Sequence, residues 1–133
     1  KAESLGCSNI SWRDFVDEAD LSDSLAACHV ALISLNEGLE GIAVPCKLYG
    51  ILASGRAVLA QVPAESEVAY TVLEHNSGLV VSPGDPKALA DAIIALQSDI
   101  ASTMAMGDRG FAAAKEHYSI NVAAEKFLSW VES

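Results

Sequence analysis

The run His29-Val30-Ala31-Leu32-Ile33-Ser34-Leu35 is apolar at successive positions rather than at alternate ones. A strand buried on one face alternates; a strand buried on both faces does not, and parallel strands covered by helices on each side are the common case. The run is therefore expected as a central strand of a parallel sheet. Such a strand needs a crossover, and the next residues supply one. Gly38 and Gly41 open a loop, and Pro45 follows, with a fixed φ suited to the first helical position. Strand, glycine-bearing loop and helix N-terminus bring free backbone N–H groups and the helix dipole to one point, which suits a phosphate or diphosphate. Lys47, two residues into the expected helix, adds a full positive charge.

The rest of the chain repeats this alternation. Asn9 to Trp12 reads as a short first strand, and Asp20 or Ser22 caps a brief helix through Ala27. A helix over Pro45 to Ser54 stops at Gly55, a strand runs from Ala57 to Val62, and a helix over Glu65 to His75 places Val68, Val72 and Leu73 on one face. Ser77 to Val81 is a last strand. Asp85-Pro86 begins a helix with Leu89, Ile93 and Leu96 at helical spacing, followed by helices over Ile100 to Tyr118 and Ile120 to Val131. The pattern βαβαβαβα implies a Rossmann-like parallel sheet with flanking helices and a helical tail.

At 133 residues and 51% hydrophobic, the chain suits one domain with a real core. No stretch approaches the roughly 20 apolar residues of a membrane span. The net charge of −10, with only 8 Lys and Arg, argues against a nucleic-acid partner. Any anion must then be held by local groups, because the acidic body repels it at long range. The 3 cysteines are expected as reduced, mostly buried side chains of a cytoplasmic protein, and no Cys/His spacing suggests a metal site. The opening Lys1-Ala2-Glu3-Ser4 leads almost at once toward a strand, so the chain is read as part of a longer protein.

The segment Glu40-Gly41, Pro45-Cys46-Lys47-Leu48-Tyr49-Gly50, Ala53-Ser54-Gly55-Arg56-Ala57-Val58 resembles the donor-binding motif of GT-B-fold glycosyltransferases of the group 1 type. Glu65-Ser66-Glu67-Val68, Asn76 to Val81 and Pro83 to Leu89 follow the same family order. The resemblance implies an incomplete C-terminal, nucleotide-sugar-binding domain of a two-domain retaining enzyme. That enzyme moves a hexosyl group from a UDP- or GDP-linked sugar to an acceptor hydroxyl, without a cofactor or bound metal, in polysaccharide or glycolipid synthesis. It further implies that the acceptor domain and the first βα unit of this domain lie elsewhere, so that the chain alone is inactive. The rest of the protein would place it in the cytoplasm or at the inner face of a membrane.

On that resemblance Glu40 is the catalytic acidic residue, set to hydrogen-bond the donor sugar and stabilise positive charge at the anomeric carbon. Glu37, which also flanks the loop glycines, is the competitor. Gly41, Ile42, Pro45, Cys46, Lys47 and Gly50 are the expected donor-binding residues. Cys46 stands where the family has serine, so its backbone N–H is the stronger donor. Gly50 stands where the family commonly has a ribose-binding glutamate, and a mid-helix glycine costs about 1 kcal/mol against alanine. Phe15 and Val16 are expected to pack beneath a loop, and His75 and His117 to serve helix C-termini. A sugar-nucleotide epimerase of the same fold is the alternative enzyme. A flavodoxin-like or receiver-like interaction module is the non-enzyme alternative, against which stand Pro45 and Lys47. A parallel sheet cut short exposes an edge, a route to a homodimer.

Overall fold

The computed structural model describes residues 3–38 and 45–132. Three parallel strands, β1 (Val30–Ser34), β2 (Ala57–Gln61) and β3 (Gly78–Val81), lie in chain order, with Val30 opposite Ala57 and Val58 opposite Gly78. The helices are α1 (Leu21–Ala26), α2 (Lys47–Ala53), α3 (Glu67–Glu74), α4 (Pro86–Ser98), α5 (Ile100–His117) and α6 (Ile120–Val131). Short 3₁₀ turns at Glu3–Leu5 and Glu18–Asp20 precede them.

The two faces of the sheet are covered unequally. Side chains alternate along β2, so Val58 and Ala60 enter one core with Ile33, Leu48, Ile51, Leu52, Val68 and Val72, beneath α2, α3 and α5. Leu59 points the other way, toward Ala92 and Leu96 of α4. Burying a Val, Leu or Ile side chain contributes about 1.5–3 kcal/mol, so the first face carries most of the stabilisation. On the thinner face, Leu32 is 48% exposed, and an open hollow of about 400 Å³ runs between Val30, Leu59, Ile93 and Ile100.

Local chemistry fixes the element ends. Gly55 has φ +68°; its N–H donates to Leu52 O at 3.0 Å and that of Arg56 to Ile51 O at 3.4 Å, so α2 ends in a Schellman turn. Ser66, Asp85, Asp99 and Ser119 accept from the N–H three residues on and cap α3, α4, α5 and α6. Gly107 lets α5 touch the turn after α2, since a Cβ there would lie 2.2 Å from Gly55 O.

Several expectations need correction. Residues 9–12 form no strand, because no described neighbour offers them a ladder; Ile10 and Trp12 are exposed. The run 29–35 supplies an edge strand rather than a central one, and within β1 only Ile33 is buried. Asp20 stands at the N-cap of α1 without a side-chain cap bond. Leu73 and Ile93 face solvent, since each element packs through a narrower stripe than its apolar residues outline. Phe15 is fully exposed and Val16 is 45% exposed, so neither is packed beneath a loop. Cys7 and Cys46 are exposed and Cys28 is half-buried, all three as free thiols. Among the described residues no helix is long and apolar enough to cross a membrane.

Candidate functional site

Ligands of open parallel sheets bind beyond the carboxyl ends of the strands. Here that edge is formed by Ser34 and Gln61, the last residues of β1 and β2, whose side chains meet with Ser34 Oγ 3.4 Å from Gln61 Oε1. The start of α2 stands beside them. Helix α2 begins at Lys47, two residues later than expected, after a turn in which Leu48 N–H donates to Pro45 O at 3.0 Å. Pro45 thus precedes the helix and shapes its entry. Cys46 occupies the N-cap without a side-chain bond to the backbone, as a thiol's weak acceptor character would have it.

Lys47 is exposed, and its ammonium donates to Leu32 O at 3.4 Å. That carbonyl has a definite place. Leu35 N–H donates inward to Gln61 O, so alternation turns the peptide groups of Val30, Leu32 and Ser34 away from β2. Among the described residues Lys47 therefore partners an outward carbonyl of the sheet edge; Glu40, the carboxylate expected to compensate it against the helix dipole, lies outside them. Among the described residues no carboxylate pairs with this ammonium, which lies within reach of the carboxyl ends of β1 and β2.

Glu40, Gly41 and Ile42 lie outside the described residues. Their described neighbours are Gly38, with φ +84°, on one side and Pro45 on the other. The chain therefore enters and leaves this loop at the carboxyl end of the sheet. Gly50 sits one turn into α2 against α1, where an added Cβ would come 3.3 Å from Leu25 Cδ1. The space beside it is bordered by the end of a leucine side chain. Glu37 is exposed at the loop's first turn.

Sequence reasoning passed over Ser34 and Gln61. Their signal was available: each is the polar residue that closes an otherwise apolar strand, at the position where a parallel sheet meets its ligand. Tyr49, inside the quoted motif, turns away from this edge. Its ring lies 5.0 Å from that of Tyr118 at the end of α5, and burial, with Glu67 and Tyr118 as smaller contributors, raises its pKa above the ordinary tyrosine value. Tyr118 is raised too, by burial first, against a hydrogen bond from Thr71 that lowers it. His75, the C-cap of α3, and His117, the last residue of α5, stack at 5.3 Å, and His75 Nε2 lies 2.9 Å from Tyr118 Oη. The two histidines lie at helix C-termini, and their stacking and the contact to Tyr118 join the ends of α3 and α5. Among the described residues no cluster of His, Cys, Asp or Glu could hold a metal ion.

Residues 1–99 match the family model described as glycosyl transferases group 1. The chain is also similar to a probable glycosyltransferase, WbjE of Pseudomonas aeruginosa, at 31% identity over 126 residues, which make up 94% of this chain and 31% of WbjE. It thus spans about a third of that relative's length. No solved structure matches it significantly. The family match runs through every strand and on to the end of α4, carrying the edge just described with it, and the chain belongs to the glycosyl transferases group 1 family.

Proposed function

We propose that this chain is the donor-binding part of a retaining glycosyltransferase, an incomplete C-terminal domain whose substrate is a UDP- or GDP-linked hexose. The observation that carries the reading is the family match over residues 1–99, which includes the whole motif from Glu40 to Val58. In this reading Glu40 orients the sugar and stabilises charge at its anomeric carbon, while Lys47 and the backbone N–H groups of Gly41, Ile42 and Cys46 meet the diphosphate. Pro45 sets the entry of α2, and Gly50 leaves the nucleotide to be read by other residues. Lys47 exchanges a neutral carbonyl for a phosphate oxygen, a charge-assisted bond of the stronger kind. The remainder of the protein supplies the acceptor site, so the chain alone binds without turnover; the acceptor is a hydroxyl of a polysaccharide or glycolipid at the cytoplasmic side of a membrane. The outward edge of β1 is where a second copy would pair, which light scattering across a concentration series tests.

Titration of the labelled chain with UDP, GDP and ADP and their sugar conjugates, followed by amide NMR, tests the donor site. Shifts centred on Gly41, Cys46 and Lys47 with one base are expected. Lys47→Ala should weaken that binding about tenfold or more, in keeping with a lost charge-assisted bond. Binding unchanged in that variant would remove Lys47 from the site.

A further inference from the structure

At the opposite end of the sheet a second set of polar groups stands unexplained. Arg56 lies between the turn that ends α2 and the first residue of β2, so it leaves the sheet at the amino ends of the strands. It lines a cavity of about 330 Å³ with His29, Ser54, Met104, Asp108 and Phe111. Its Nε is shielded from solvent and finds no hydrogen-bond partner among the described residues. Its neighbour on α5 shows the contrast: Arg109 Nε donates to Asn76 O at 2.8 Å. A guanidinium cannot shed its proton, so a buried N–H without an acceptor is a standing cost, and a turn of the guanidinium toward an oxygen in the cavity relieves it. Asp108 shares the cavity, yet among the described residues no ion pair joins it to Arg56.

We propose that this cavity binds a protonated oxyanion, hydrogen phosphate or a phosphate monoester, with Arg56 donating to its oxygens and Asp108 accepting its P–OH proton. The guanidinium fork matches a tetrahedral oxyanion, and the imidazole of His29 offers a further donor. Asp108 sets the selectivity: it repels a fully deprotonated anion such as sulfate, and accepts a hydrogen bond from one that still carries a proton. The site lies across the sheet from the donor edge and does not depend on the donor-site reading.

The test is titration of the labelled chain with inorganic phosphate, sulfate and a small phosphate monoester at one fixed ionic strength near pH 6, with the Arg56 Nε–H resonance observed directly. Phosphate should move that resonance and saturate in the millimolar range. Sulfate should bind roughly tenfold more weakly, the discrimination expected when a buried acceptor goes unpaired. Asp108→Asn should erase the difference by strengthening sulfate. Arg56→Gln should abolish both, with Arg56→Lys as the charge-retaining variant should the first not fold. An unmoved Arg56 Nε–H, equal binding of the two anions, or an Asp108→Asn chain that melts several degrees lower without gaining sulfate affinity would each overturn the proposal; the last would make Asp108 the internal partner of Arg56. A monoester bound more tightly than inorganic phosphate identifies a phosphorylated metabolite as the ligand, and the reverse identifies the free ion.

Discussion

Two helical glycines differ in what an added side chain would meet. In α5, a Cβ on Gly107 would meet the backbone carbonyl of Gly55 at 2.2 Å, and backbone cannot yield. Gly107→Ala should lose about 2–3 kcal/mol despite the better helix propensity of alanine, a loss that urea unfolding would register. In α2, the atom facing Gly50 is the far end of the Leu25 side chain, which can rotate aside. Gly50→Ala should be close to neutral, as the roughly 1 kcal/mol propensity gain offsets the adjustment of Leu25. A large loss at position 50 with none at 107 would contradict this account. Single residues were also where sequence reading reached its limit. Pro45 and Lys47 were each set two residues too deep in α2, whereas Gly55 could be placed from cap chemistry alone. The partner of Lys47 could not, because the outward direction of Leu32 O depends on strand phase. The half-buried state of Cys28 and the exposure of Cys7 and Cys46 depend likewise on what lies across from them.

At the scale of elements, periodicity located every described helix from α2 to α6 to within a few residues, and the strands β1 to β3 in order. It misjudged segments whose fate rests on a neighbour. Residues 9–12 carry strand character but meet no ladder, and the apolar run at β1 lacks cover on its outer side. Tyr49 and Tyr118 form one part of the joint between α2 and the end of α5, and they tie its stability to alkaline pH. Both tyrosines have pKa values raised above about 10. The unfolded chain therefore releases these protons first. Their contribution is fully present below pH of about 10 and is lost as pH climbs through the higher folded values. Melting temperature should hold level to about pH 9 and decline beyond pH 10, more gently in Tyr49→Phe, as differential scanning fluorimetry would show. A profile identical in that variant would place the alkaline limit elsewhere. Helix α6 makes a different case: none of its residues is buried, and Phe127, Leu128, Trp130 and Val131 are all more than half exposed. Removing residues 120–133 should lower the melting temperature by only a few degrees while sharply reducing binding of a hydrophobic dye. A collapse of the fold would show that α6 stabilises the core through contacts beyond its own side chains.

The whole molecule is polarised. Polar strand ends and the Lys47 ammonium gather at the carboxyl edge of the sheet, and the cavity of Arg56 lies at the amino edge, with an apolar core between them. The sheet itself keeps the order of the chain, each strand lying beside the one made just before it. A chain of this kind needs no late segment to thread between early ones. Within residues 30–117, β1 can wait for β2, and β2 with α2 and α3 can close the thicker core before α4 and α5 arrive to finish the two faces. Assembly is then a matter of accretion in one direction, so an interruption late in synthesis should leave a smaller sheet with correct pairing rather than a tangle.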